Sequence, residues 1–440
     1  MKAITGFSKL TKDEKIKWLA SELSGEAADL VSSLPSYWHP DLTTQKKFDE
    51  FSENTLTNFD FPFGLAPNFL INNHIYSVPM VIEESSVVAA ASLGAKFWMN
   101  RGGFKARVLS MTKVGHVHFL WTGGKEELNT FFNSSKNELL NSVKHLSANM
   151  EKRGGGILSF DLIDLTEKLD SYFQLKLTFN TCDAMGANFI NSVLEQVASD
   201  FKVRVIQNLC KNEETHDFQI VMSILSNYTP ECLVECSVSC PIADLGNFSD
   251  GMGPAEFAQK FISAVRIAQV DTNRAVTHNK GIMNGIDAVV LATGNDFRAV
   301  EACAHAYAAR NGHYQSLSEA KIIGDQFHFS LTIPLAIGTV GGLTSLHPLA
   351  KTSLMILEQP SAEKLMMIMA SVGLAQNFSA VKSLITTGIQ KGHMKLHLLN
   401  VLNQLGATQS QIEEAKVHFL DKVVSFSAVR DFLKQKHILH

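Results

Sequence analysis

The run Tyr172-Phe173-Gln174-Leu175-Lys176-Leu177-Thr178 alternates apolar and polar side chains, the period of two expected of a strand with one buried face. Upstream, Arg153-Gly154-Gly155-Gly156 is a sharp break before the apolar run Ile157 to Leu162. Downstream, Ala184 to Ser199 reads as a helix and Phe218 to Ile224 returns to strand. Further out, Val108 to Thr112 and His116 to Trp121 read as short strands around Gly115, and Glu126 to Met150 as a helix. The block from about 107 to 227 is therefore rich in strands, with two helices and connections too short for the crossovers of a doubly wound sheet. It predicts an α+β unit inserted into a larger chain.

The flanks have a different layout. Residues 9 to 33 read as a helix, with Thr11 as N-cap and Glu14 three residues on in a capping-box pattern. Phe69 to Ile71 and Ile75 to Val78 are strand-like, and 84 to 98 is an Ala-rich helix. After Pro230 the chain predicts a helix over Ala255 to Ala275, a strand over Ala288 to Ala292 and a helix over Phe297 to Arg310. Phe327 to Pro334, a Gly-rich turn and Ser361 to Phe378 complete this part. The last residues form short helices with polar breaks, a small separable tail. At 440 residues, two to three domains are expected.

Composition excludes several classes. Hydrophobic content of 45% and charged content of 19% describe a globular chain. A formal charge of −4 offers no basic footprint for nucleic acid. Cys232, Cys236 and Cys240 stand four apart, with no CxxC pair and no HxxxH segment beside them. Structural zinc sites use tighter paired spacing, so reduced thiols and no metal are expected. The N-terminus lacks the apolar core of a signal peptide. The longest apolar stretches, Ser86 to Met99 and Leu331 to Leu343, fall short of the ~20 residues that span a bilayer. The expectation is a soluble, cytoplasmic protein.

The chemistry-bearing segments each have an ordinary structural reading beside a functional one. His278-Asn279-Lys280-Gly281-Ile282-Met283-Asn284-Gly285 sets a lysine among amides and glycines, read as a turn, and Ala292-Thr293-Gly294-Asn295-Asp296 follows with an acid. Asp296 is the candidate partner for Lys280, since unit charges about 4 Å apart interact by ~4 kcal/mol at an effective dielectric of about 20. Lys280 also suits an exposed turn. Glu83-Glu84 precedes an apolar helix, where a carboxylate offsets the dipole or acts as a general acid. His393 is a solvated histidine or a proton donor to a leaving group. Gly154-Gly155-Gly156 and Asp183-Ala184-Met185-Gly186-Ala187-Asn188 are candidate phosphate cradles; neither fits GxGxxG, but the second opens a helix whose amides can bind an anion.

Taken together, the chain resembles 3-hydroxy-3-methylglutaryl-coenzyme A reductase in its soluble class II, bacterial-type form. The resemblance is carried by Val78-Pro79-Met80 with Glu83-Glu84, by the Asp183–Asn188 and His278–Gly285 segments, and by Ala292–Asp296. Gly338-Thr339-Val340-Gly341-Gly342, Gly373-Leu374-Ala375-Gln376-Asn377 and Gly392-His393-Met394 complete it in family order. It implies an α+β fold: a large substrate-binding domain (1–107 and 228–385) interrupted by a small ferredoxin-like cofactor domain (108–227), plus a C-terminal helical flap (386–440).

The implied reaction is a reduction by two hydrides from NADPH or NADH, taking the thioester through a hemithioacetal and mevaldehyde to mevalonate and free coenzyme A. By resemblance, Lys280 stabilises the oxyanion and donates a proton, Asp296 holds and tunes the lysine, Glu84 is the second proton donor, and His393 protonates the departing thiolate. Glu84 is chosen over Glu83 because the family's glutamate lies six residues after the valine of Val78-Pro79. Ser86, Arg274 and Asn284 match positions that hold the substrate's carboxylate and hydroxyl ends, and Gln376 a coenzyme A contact. Gly154, Gly155, Gly156, Ser159, Asp183, Met185, Gly186 and Asn188 match the cofactor site. The family places its active site at a homodimer interface.

The chain also departs from the family. A dimer-core segment that typically reads Glu-Asn-Val-Ile-Gly is here Glu53-Asn54-Thr55-Leu56-Thr57. NADH-preferring relatives place an acid three residues past the triple glycine, suited to a ribose 2′-hydroxyl. This chain has Ser159 there, which would not repel a 2′-phosphate, with Asp161 nearby as the alternative carboxylate. A different class of reading is a non-catalytic coenzyme A or acyl-thioester binding module. An acyltransferase would need a His–Asp pair or nucleophilic cysteine, and no HxxxD segment is present.

Overall fold

The computed structural model describes residues 1–210, 218–248, 251–386, 398–420, 422 and 424–437. In chain order the first elements are α1 (Lys12–Ser21), α2 (Glu26–Ser32), α3 (Leu42–Asp49), β1 (Phe63–Ile71), β2 (His74–Val81), α4 (Val87–Met99) and β3 (Lys105–Met111). Next come β4 (Lys113–Trp121), α5 (Lys125–Ser142), α6 (Lys144–Glu151), β5 (Gly156–Asp164), β6 (Tyr172–Asn180), α7 (Ala187–Asn208), β7 (Phe218–Leu225) and β8 (Cys232–Pro241). Then follow α8 (Pro254–Val270), α9 (Thr272–Ala292), α10 (Phe297–Ala308), β9 (Ser318–Ile323), β10 (Gln326–Pro334), α11 (Leu343–Leu346), α12 (Pro348–Ile356) and α13 (Ala362–Ile385). Helices over Gln409–His418 and Phe426–His437 follow in the tail, with an apolar cluster of their own that includes Leu402, Phe419 and Phe432.

The small sheet runs β5-β6-β4-β7, antiparallel throughout. Its β-α-β-β-α-β succession and strand order are those of a ferredoxin-like unit. The alternation in β6 has its expected cause: Phe173, Leu175, Leu177 and Phe179 are buried, while Gln174 and Lys176 face the other way. α7 covers the apolar face through Ile190, Leu194 and Phe201. It comes so near β4 that a Cβ on Gly115 would stand 2.6 Å from Leu194 Cδ1.

The larger core is built on the antiparallel sheet β3-β8-β10-β9. β3 pairs with β8, and β4 belongs to the small sheet. The chain therefore crosses between sheets at Thr112, rather than at the expected boundary after 107. Cys232, Cys236 and Cys240 of β8 are all buried. Among the described residues, no group of three or more His, Cys, Asp or Glu side chains is placed to hold a metal.

At the N-terminus, Thr11 and Glu14 form the capping box, with Thr11 N donating to Glu14 Oε2 at 2.8 Å and Glu14 N to Thr11 Oγ1 at 3.3 Å. The single helix expected over 9–33 is interrupted, because Gly25 adopts φ 59° ahead of α2.

α9 is the main departure from the sequence reading. It is continuous over Thr272–Ala292, so the strand expected at Ala288–Ala292 does not form and Lys280 lies mid-helix rather than in a turn. Ala288, Val289 and Val290 are all buried. The last turns of α9 are largely enclosed and carry no polar stripe, so their apolar run looks like a strand. Gly285 is a packing residue: a Cβ there would lie 2.9 Å from both Val372 O and Gln376 Cβ of α13. Among the described residues no helix is long and apolar enough to cross a membrane.

Candidate active site

Lys280 projects from the middle of α9, and its Nζ donates to Glu84 Oε2 at 2.5 Å. Glu84 lies in the short turn between β2 and α4. Asn284, one helical turn beyond Lys280, donates its Nδ2 to the same Oε2 at 3.3 Å. The side chains of Lys280 and Glu84 are 58% and 39% exposed, so the pair is open to a ligand. An ion pair this exposed adds little to stability. What it does is set a cation beside a carboxylate and an amide on one accessible surface.

Ser86, two residues from Glu84, sits at the start of α4 with φ 72° and makes no capping bond. A non-glycine residue in this left-handed region costs on the order of 1 kcal/mol. Arg274 lies six residues before Lys280 on α9, about 9 Å along the axis. Burial lowers its pKa. Among the described residues it has no carboxylate partner.

The residues flanking Lys280 hold the helix in place. His278 is 1% exposed, and its Nε2 meets Ser318 Oγ at 2.7 Å. Ser318 Oγ itself donates to Asn377 Oδ1 at 2.8 Å, so the imidazole is the donor to the serine. Burial first, and Arg274 second, push His278 down to about 3; it is neutral at physiological pH. Asn279 donates to Gln315 O at 2.9 Å and accepts from Leu317 N at 3.0 Å. These bonds fix the rotation of α9 and hence the direction of Lys280.

The expected Lys280–Asp296 pair is not formed. Asp296 caps α10, accepting from Arg298 N at 3.0 Å and Ala299 N at 3.2 Å, and pairs with Arg298 Nη2 at 3.2 Å. Lys280 stands twelve residues before the end of α9, which at 1.5 Å per residue is about 18 Å of helix. Within the chain the two side chains pair with different partners, Lys280 with Glu84 and Asp296 with Arg298. Asp296 instead lines a groove of about 420 Å³ with Met185, Gly186, Asn188, Gly294 and Gly338.

This second group is built from backbone at close quarters. Thr339 N donates to Asp183 O at 2.8 Å and Gly338 N to Asn295 Oδ1 at 2.8 Å. A Cβ on Gly338 would stand 2.5 Å from Met185 N. Gly186 has φ 90° and precedes α7 with no side chain capping the helix. The uncapped start of a long helix, lined by glycine, fits the phosphates of a dinucleotide. The carboxylate of Asp183 is engaged elsewhere, accepting from Ala362 N at 2.7 Å. The triple glycine turns beside this cradle: Gly154 and Gly156 have φ 88° and 121°, and Cys182 Sγ donates to Arg153 O at 3.3 Å. Ser159 Oγ accepts from Thr178 Oγ1 at 2.8 Å, and Asp161 pairs with Lys136 at 3.7 Å.

Two residues need separate mention. Gln376, expected at a coenzyme A contact, is 5% exposed in the seam between α13 and α9, with Oε1 unpaired among the described residues; it faces no open surface. His393 lies outside the described residues. Asn295 and Lys113, which support the cradle, were missed in the sequence reading. Asn295 is legible afterwards as the amide next to Asp296, whereas Lys113 looks like any polar residue at a strand end.

The family model for hydroxymethylglutaryl-coenzyme A reductase matches residues 12–398. The chain is 34% identical over 416 residues to the 3-hydroxy-3-methylglutaryl-coenzyme A reductase of Archaeoglobus fulgidus, covering 93% of this chain and 89% of the relative. A probable reductase of the same name from Borreliella burgdorferi is 30% identical, covering 92% and 89%. Among solved structures, the class II enzyme from Streptococcus pneumoniae bound to NADPH in open conformations superposes with a TM-score of 0.72 at 35% identity, covering 88% of this chain and 100% of that one.

The chain is thus an oxidoreductase of coenzyme A thioesters. It belongs to the hydroxymethylglutaryl-coenzyme A reductase family, and its reaction is the reduction of 3-hydroxy-3-methylglutaryl-coenzyme A to mevalonate. A non-catalytic thioester-binding module is not favoured.

Proposed function

We propose that Lys280, Glu84 and Asn284 form the substrate-side half of the active site, and that Asp296 with the Asp183–Asn188 cradle forms the cofactor-side half, contributed by a second copy of the chain. The observation that carries this reading is the 2.5 Å Lys280–Glu84 pair, on a helix that runs about 18 Å beyond the lysine before the turn that carries the acid meant to tune it. In a homodimer with the site at its interface, Asp296 of one protomer approaches Lys280 of its partner.

A thioester carbonyl gains negative charge as it is reduced, and a fixed ammonium offsets that charge most where water is excluded. Lys280 hydrogen-bonds the carbonyl oxygen and donates its proton; Glu84, already sharing a hydrogen bond with Nζ, supplies the second. Arg274 takes the substrate carboxylate, for which its planar fork is suited. Ser86 and Asn284 fix the hydroxyl end. His393 protonates the coenzyme A thiolate as it leaves. NADPH or NADH, when bound against Gly154–Gly156, Ser159 and the Met185–Asn188 turn, supplies the hydride. Ser159 leaves room for a 2′-phosphate, which supports use of NADPH; the pneumococcal relative is one that binds it. The three apolar clusters support a large body, a 113–227 insert and a tail as separate folding units. The family and the lack of a spanning helix among the described residues support a cytoplasmic location.

Lys280→Ala tests the reading. Turnover should fall at least about a hundredfold, while the melting temperature barely moves because the pair is exposed. Near-normal turnover would remove Lys280 from the mechanism.

A further inference from the structure

Lys113, the first residue of β4, is 3% exposed. Its Nζ donates to Thr181 Oγ1 at 2.6 Å and to Ala184 O at 2.7 Å, and Thr181 Oγ1 in turn donates to Ala184 O at 2.6 Å. The ammonium thus closes the base of the turn that leads into α7. The same threonine lies under Gly186, where a Cβ would stand 2.4 Å from Thr181 Cγ2.

No carboxylate lies within ion-pair distance of Lys113 among the described residues. The acid within the turn, Asp183, directs its carboxylate to Ala362 N. The titratable groups that face the ammonium are the thiols of Cys182 in the turn and Cys232 on β8. Burial lowers the pKa of Lys113 and raises Cys232 to about 11, so neither tends to form a compensating ion pair. The cation also sits below the start of a helix, where the dipole is already positive. Burying an unpaired charge there is costly. A neutral amide would hold both acceptors without that cost. Two aligned positive fields with nothing to neutralise them make sense when an anion completes the site.

We infer that Lys113 is a positioning residue of the dinucleotide site: it holds the Thr181–Ala184 turn from below, and its buried charge acts on a bound anion through that turn rather than by contact. This rests on the assignment of the Asp183–Asn188 turn as the cradle.

The test titrates NADPH into the full chain as wild type, Lys113→Met, Lys113→Gln and Gly186→Val, with steady-state rates beside each. Lys113→Met removes charge and donors, and Lys113→Gln removes the charge alone. Both should weaken NADPH about tenfold or more, with a shallower salt dependence, while kcat at saturating NADPH moves less than about threefold. A structural role alone predicts that Lys113→Gln binds like wild type, and that result overturns the inference. Gly186→Val separates the two readings. If it leaves NADPH binding intact, the cradle assignment fails. If it abolishes binding while both Lys113 variants bind normally, only the role of Lys113 fails.

Should the Lys113 variants fold poorly, proton linkage in the wild type decides. Burial holds the pKa of Lys113 below the usual lysine value and a bound anion raises it, so NADPH binding takes up a proton and affinity falls as pH rises toward the ordinary lysine range. Cys182→Ser should keep that slope. Absence of proton uptake, or a slope that disappears with Cys182→Ser, counts against Lys113.

Discussion

At the scale of single residues, the cap that Asp296 makes and the catalytic role proposed for it can be separated by substitution. Its carboxylate caps α10 through Arg298 N and Ala299 N. Asparagine caps a helix about as well as aspartate, whereas alanine loses about 1 kcal/mol. Asp296→Asn should therefore keep the melting temperature and lose turnover by an order of magnitude or more, because a neutral amide cannot tune a lysine. Equal turnover in Asp296→Asn and wild type would make the acid purely structural. Ser159 offers a second separation. Ser159→Asp places a carboxylate where a 2′-phosphate would lie, so the ratio of kcat/KM for NADPH over NADH should fall about tenfold or more. An unchanged ratio would move the discrimination elsewhere, to Asp161 first.

At the scale of elements, α9 shows what the sequence could and could not reveal. Lys280, Glu84 and Asn284 were singled out from the family resemblance, and the structure brings their side chains into contact. The strand alternation of β6 and the capping box at Thr11 were legible too, because each is a local pattern with a local cause. The secondary structure under Lys280 was not. Gly281 and Gly285 looked like turn residues, but at Gly285 the missing side chain admits α13 rather than a bend. Sequence spacing alone also does not show that the continuous α9 keeps Asp296 apart from the Lys280 of its own chain.

The same helix carries a testable pH effect. Asp287 faces Glu301 of α10, and burial first, then the neighbouring carboxylate, push Asp287 well above the usual carboxylate range. The folded state therefore keeps a proton that the unfolded chain has released. Stability is greatest below the unfolded pKa and declines as pH rises through this window. From about pH 5 to about pH 8 the wild-type melting temperature should drop relative to that of Asp287→Asn, in which the amide cannot ionise. Parallel curves would mean that the two carboxyl groups do not share a proton.

At the scale of the whole molecule, the residues proposed for catalysis fall into two groups that make no contact within this structure. Lys280, Glu84 and Asn284 converge on one surface, and Asp296 lines the cradle of Met185, Gly186 and Asn188. If two copies complete each other's sites, two variants that are inactive alone should rescue each other when mixed. In a two-fold dimer of Lys280→Ala with Asp296→Ala, one site carries both substitutions and the other carries neither. Random pairing makes half of the dimers mixed, so coexpression should restore about a quarter of wild-type activity. Each variant expressed alone should stay near background, and the recovered activity should travel with the mixed dimer on separation by a charge tag. If the mixture is no more active than its parts, each site is built within one protomer. The long separation along α9 would then have to close by a movement of the chain itself.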